Sequence, residues 1–132
     1  MKYIVNRYSL TKDFISTGTL TITSQGQSTY LTYADATIEE TVNELYHPLT
    51  ALSSLRQILE AKHKSIINCT GCRIDSAYRP TGGYGTYIIT YGKPGTERAS
   101  LFEPTTEILK LCTLEEHKIA YKKWTDSIKE IK

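Results

Sequence analysis

Cys69-Thr70-Gly71-Cys72 separates two of the three thiols by two residues. That spacing suits a zinc knuckle or a dithiol redox centre. A structural zinc site needs four ligands, and the other candidates, Cys112, His47, His63 and His117, are scattered singly. A redox pair needs its first cysteine at a helix N-terminus, where the dipole lowers the thiol pKa. The residues after Cys72, Arg-Ile-Asp-Ser-Ala-Tyr-Arg-Pro, do not read as a helix. The pair therefore reads as small residues ending a buried strand, with a zinc-binding module as the lesser alternative. No metal and no cofactor is expected.

The histidines point away from catalysis. His63 lies in Lys62-His63-Lys64, a solvated run at a helix end; His117 lies on an apolar stripe, as a satisfied core residue; His47 precedes Pro48 at a helix break. No Ser, His and acid grouping places a base beside a nucleophile, so the chain reads as a non-enzyme. Gly82-Gly83-Tyr84-Gly85 leads into a strand and not a helix, so it lacks the dipole that a phosphate loop uses. Tyr84, Tyr87 and Tyr91, with Arg73, Arg79 and the Lys118, Lys122 and Lys129 stripe, leave single-stranded nucleic-acid stacking as an alternative function.

The densest acidic group is Asp35, Glu39, Glu40 and Glu44, in a stretch with no Lys or Arg from residue 13 to residue 55. A solvated helix face would carry such acids, but so would a docking patch for a basic partner. Tyr46 beside them would be a rigid anchor, with Arg79 and Tyr84 as second contacts.

Composition bounds the rest. The chain has 132 residues, 39% hydrophobic and 23% charged, with a net charge of +2. That is one α+β domain over residues 1–132, large enough for a single core. The near-balanced charge indicates neither a strongly basic nucleic-acid clamp nor an acidic disordered tail. No run approaches the ~18 apolar residues of a membrane helix, and the N-terminus does not read as a signal peptide. Three cysteines are an odd count for a disulfide framework. These features make the expected compartment the cytoplasm.

The elements follow from periodicity. Residues 2–9, 17–23 and 28–33 alternate as strands, with Leu20 and Ile22 facing one way and Thr19, Thr21 and Thr23 the other. Thr37-Ile38-Glu39-Glu40 has the spacing of a capping box and predicts a short helix to about Leu45. Pro48 opens a second helix whose core side is Leu49, Leu52, Leu55 and Leu59. Residues 65–69, 72–79, 86–91 and 98–102 read as further strands, with 92–95 as a turn. Pro104 predicts a short helix to Leu111, and Thr113-Leu114-Glu115-Glu116 caps a last one. Its core stripe is Leu114, His117, Ala120, Tyr121, Trp124, Ile128 and Ile131, with Ile119 outside it. The expected order is three strands, two helices, three or four strands, two helices. This is an α+β fold, an antiparallel sheet of about five to seven strands with helices packed on it.

One segment carries a resemblance. His47-Pro48-Leu49-x-x-Leu52-x-x-Leu55-Arg56 precedes Asn68-Cys69-x-Gly71-Cys72-Arg73-x-Asp75, then Tyr78-x-Pro80-x-Gly82-Gly83, Tyr87 and Leu101-Phe102. Over residues 45 to 103 this arrangement resembles small bacterial immunity proteins encoded beside contact-dependent growth-inhibition toxins and related polymorphic toxins. The resemblance implies a cytosolic protein without catalysis. Such a protein binds the C-terminal domain of one cognate toxin, usually a nuclease, in a one-to-one complex that blocks its active site or its access to substrate. No membrane partner is expected, and nucleic acid stays the alternative partner. One departure concerns charge. Nuclease inhibitors are often acidic overall, whereas this chain is slightly basic, which confines charge mimicry to the 35–44 segment.

Overall fold

The computed structural model describes residues 1–45, 48–78 and 85–129. The threonine-rich alternation becomes β2 (Phe14–Gln25), which turns at Gly26 into β3 (Ser28–Ala34). Gly26 takes a φ of 61°, a left-handed conformation that costs glycine little. β1 (Lys2–Ser9) pairs with β2 so that Tyr3 faces Leu20 and Val5 faces Gly18. Gly18 leaves room for the ring of Tyr33: a Cβ there would stand 2.7 Å from the Tyr33 hydroxyl. β4 (Glu39–Leu45) and β5 (Ser65–Ile67) complete an antiparallel sheet in the order β4-β3-β2-β1-β5.

The period of two puts Val5, Leu20, Ile22, Leu31, Tyr33 and Val42 on one face. Helix α1 (Pro48–His63) covers that face with Ala51, Leu52, Leu55 and Leu59. Each fully buried leucine stabilises the fold by about 2 kcal/mol. Lys64, at φ 48°, ends the helix in a left-handed cap and delivers the chain into β5.

A second sheet holds β6 (Ser76–Tyr78), β7 (Gly85–Thr90) and β8 (Lys93–Ser100), in that order and antiparallel. Helix α2 (Leu114–Lys129) packs Trp124 against Ala77 and Ile89. Its capping box forms as expected: the Glu116 N–H donates to Thr113 Oγ1 and the Thr113 N–H donates to Glu116 Oε1. The fold is α+β, its strands divided between sheets of five and three. Ile119 is exposed, in keeping with its place off the apolar stripe.

Two expected helices are absent from the described residues. The 37–45 segment is β4. Thr37 cannot cap a helix, because its hydroxyl donates to Asp35 and accepts from Arg7. Asp35 instead accepts the Thr37 and Ile38 amides in a local turn. The residues beyond, Thr41, Val42 and Asn43, are weak helix formers that fit a sheet edge. In the 104–111 segment only Ile108–Lys110 forms a 3-10 turn. The Thr105 N–H donates to Asn68 O, and bridges join Cys69 to Pro104 and Arg73 to Leu111, which holds this chain extended. The turn expected at 92–95 tightens to Tyr91–Gly92, and β8 begins at Lys93.

One ion pair sits inside the larger sheet. Arg7 Nε donates to Asp35 Oδ2 at 2.9 Å, with the Asp35 side chain 0% exposed. Tyr33 also donates to Asp35, at 2.7 Å. Burial alone would raise the Asp35 pKa. The hydrogen bonds from Tyr33, the Thr37 amide, Arg7 and the Ile38 amide outweigh it and hold the carboxyl far below the usual carboxylate range. A depressed folded pKa contributes stability that is fully present above about pH 5 and is lost as pH falls below about 4. Asp35→Asn leaves Arg7 buried without its counter-charge and should cost about 3 kcal/mol in urea unfolding. A loss below about 0.5 kcal/mol, the level of a surface change, would show that the pair is not structural.

Candidate functional site

Where α1 meets α2 and the smaller sheet, a cavity of about 610 Å³ opens. α1 contributes Leu49, Ser53, Arg56 and Gln57; β6 and β7 contribute Ser76, Ala77 and Thr86; α2 contributes Leu114, His117, Lys118 and Tyr121. Arg56 is only 3% exposed, although it is a cation. It occupies a core position, four residues after Leu52 and three before Leu59, so the helix carries it inward.

Arg56 Nη1 donates to Gly71 O at 3.2 Å and to His117 Nδ1 at 2.9 Å; Nη2 donates to Cys112 O at 2.9 Å. His117 Nε2 lies 2.7 Å from Ser76 O. A carbonyl only accepts, so Nε2 carries the proton and Nδ1 accepts from the guanidinium. Burial, then the charge of Arg56, push the His117 pKa down despite the Ser76 carbonyl. The histidine stays neutral, as a satisfied core residue should. Among the described residues, no carboxylate stands within ion-pair distance of Arg56, and its Nε has no hydrogen-bond partner. Glu60, one turn on, instead accepts the Leu114 amide at the start of α2, at 3.0 Å. The buried Thr86 hydroxyl also has no partner among the described residues.

The three cysteines are free and buried beside Arg56. Cys69 and Cys72 bracket a 3-10 turn, Thr70–Cys72, with their sulfurs 3.2 Å apart. The hydrogen bond the two thiols share raises the pKa of Cys69 and lowers that of Cys72. Burial pushes the Cys112 thiol up to about 12, against the pull of Arg56. Gly71 is required for close approach, since a Cβ there would stand 2.5 Å from Leu52 Cδ2. Among the described residues, no three His, Cys, Asp or Glu side chains converge on one point as metal ligands would. The cation beside these sulfurs is the guanidinium.

The acidic residues separate. Asp35 is enclosed by Arg7 and Tyr33. Glu40 and Glu44 point with Val42 toward α1, because alternate residues of a strand share a face. Glu40 Oε2 meets His63 Nε2 at 2.6 Å and Lys62 Nζ at 3.1 Å. Those bonds, His63 first, lower its pKa. Glu44 accepts from Ser54 Oγ at 2.8 Å. His63 is therefore packed and bonded, not solvated, because β4 runs alongside the end of its helix. Glu39 points the other way and is exposed with Thr41 and Asn43. Tyr46, His47, Arg79 and Tyr84 lie outside the described residues.

The nucleic-acid alternative also loses members. Arg73 makes a two-pronged ion pair with Asp75, at 2.8 and 2.7 Å. Tyr87 is half-buried, with the Arg98 guanidinium 5.9 Å from its ring. Tyr91 is 73% exposed, and Lys118, Lys122 and Lys129 are exposed. Among the described residues, no helix is long and apolar enough to cross a membrane. No protein-family model, curated protein or solved structure matches the chain.

Arg56 and the cavity escaped the sequence reading. The available signal was an arginine inside the leucine stripe of α1. The geometry generates two expectations. Because His117 takes up its proton less readily folded than unfolded, stability is complete above about pH 6.5 and falls below it, by at most 1.4 kcal/mol per pH unit. His117→Gln should flatten urea-unfolding free energy between pH 7 and pH 5; an unchanged slope would assign it to other groups. The thiols should react with a disulfide reagent at pH 8 about a hundredfold more slowly than free cysteine until the protein is unfolded. Rapid reaction of one native thiol would reveal an accessible thiolate at Cys72.

Proposed function

We propose that this chain is a binding module of the immunity-protein type, which neutralises the C-terminal domain of a cognate toxin, a nuclease, by stoichiometric contact in the cytoplasm. The resemblance over residues 45–103 supplies the partner class. The observation that carries the reading is β4. It is an edge strand of the five-stranded sheet, paired among the described residues only with β3, and its outward row Glu39, Thr41 and Asn43 is exposed. An edge strand offers unpaired backbone groups that a partner can extend. Glu39 adds an acid in a stretch without Lys or Arg from 13 to 55.

This geometry refines the acidic patch. Asp35, Glu40 and Glu44 serve the fold, so Glu39 is the member free to meet a basic partner. Tyr46, Arg79 and Tyr84 remain proposed contacts on sequence grounds alone.

Co-expression with the C-terminal domain of the protein encoded immediately upstream tests the proposal, with toxicity of that domain, survival and co-purification as readouts. Rescue with a stable one-to-one complex is expected. Absence of rescue or of a complex would overturn it. Within such a complex, Glu39→Lys should slow association about three- to tenfold, more at low salt, while urea stability stays within about 0.5 kcal/mol. An unaltered association rate would move the interface away from β4.

A further inference from the structure

We propose that the cavity between α1, β7 and α2 binds a small organic carboxylate, its anionic head toward Arg56 and its apolar body against Leu49, Leu101 and Leu114. This inference is independent of the toxin reading, since it concerns a different surface and a small-molecule ligand.

Volume is the first argument: about 610 Å³ lies within the ~300–1,000 Å³ of small-ligand sites. Charge is the second. The lining includes Arg56 and Lys118 and no Asp or Glu. Arg56 is nine-tenths buried with carbonyl and imidazole partners, which satisfy its terminal N–H groups but supply no negative charge. Buried cations require a compensating charge; the described residues provide none at ion-pair distance, and Glu60, whose charge reaches Arg56 from farther off, is engaged by the Leu114 amide. Unmet hydrogen bonding is the third. Arg56 Nε and Thr86 Oγ1 are the buried side-chain polar atoms without a partner among the described residues, and both side chains line this cavity. Buried polar atoms are otherwise nearly always satisfied.

The ligand class follows from the same features. A single guanidinium, with Lys118 exposed at the rim, matches one negative charge. A phosphate dianion is better matched by two enclosed cations, and here Arg56 is enclosed while Lys118 is exposed. The leucines favour a ligand whose remaining atoms are apolar. Such a ligand has about ten non-hydrogen atoms, for which an affinity near millimolar is expected.

The probes are hexanoate and phenylacetate, with phenylacetamide and inorganic phosphate as controls, titrated into the full chain and followed by ¹H–¹⁵N NMR. Saturable shifts centred on Arg56 and His117 are expected with the carboxylates, at least tenfold weaker with the amide. Arg56→Met keeps the side-chain volume and removes the charge; it should lose binding tenfold or more while staying folded. Should that variant not fold, Ser53→Trp, which fills the cavity from a partly exposed wall, should abolish the shifts. No saturation by either carboxylate up to about 20 mM, equal binding of the amide, or undiminished binding in a folded Arg56→Met or Ser53→Trp chain would overturn the proposal. Saturation by phosphate alone would overturn it as well and reassign the site to a phosphate ligand.

Discussion

The two sheets are held together at Arg56. From α1, which belongs to the core of the larger sheet, its guanidinium reaches the carbonyl of Gly71, the carbonyl of Cys112 and the imidazole of His117. His117 in turn grips Ser76, at the start of the smaller sheet. One side chain thus joins three stretches distant in sequence, around residues 56, 71–76 and 112–117. A planar cation with five donors suits this role, since lysine would offer a point charge without the fork. The neutral tautomer of His117 belongs to the same device. A second cation facing the guanidinium would repel it, and the Ser76 carbonyl fixes the proton on the far nitrogen.

The two buried arginines make an instructive contrast. Arg7 is neutralised by Asp35, with Ser65 and Thr37 hydroxyls on its remaining nitrogens. That network closes the turn between β3 and β4 and needs nothing from outside. Arg56 has partners for its terminal N–H groups but, among the described residues, no carboxylate at ion-pair distance and no partner for its Nε; Glu60 acts on it only from farther off. Those terminal N–H groups serve the architecture, while the Nε is left to the cavity.

Much of this was legible in the sequence. Period-two patterning placed β1, β2 and β3 and the Leu20 and Ile22 face of β2, Pro48 marked the start of α1, and the Thr113–Glu116 box marked the start of α2. The α+β class came with them. The misread segments share one physical cause. Thr37 has the spacing of an N-cap, but a nearby carboxylate, Asp35, captures the same amides, and the edge of β3 recruits residues 39–45 as its neighbour. Pro104 starts no helix because Asn68 and Cys69 bind its neighbours into an extended path. Local signals cannot report such long-range competitors. The site was harder still. An arginine in a leucine stripe marks a buried cation, but whether it has a counter-ion depends on which segments converge, and that is a property of the fold.

The acidic segment shows how a pattern can be right in composition and different in use. Read as a helix, residues 39–44 would present Glu40 and Glu44 together to solvent. As a strand they still share a face, because a spacing of four is even as well as near one helical turn. That face, however, is turned toward α1, where His63, Lys62 and Ser54 engage them. The acids therefore pin this edge strand to the helix over it and leave its outer row, Glu39 excepted, uncharged. A partner meeting this edge would read backbone, threonine and asparagine more than charge. A chain with net charge +2 can bind in that way without acidic mimicry of a nucleic acid, because strand addition draws its affinity from main-chain hydrogen bonds.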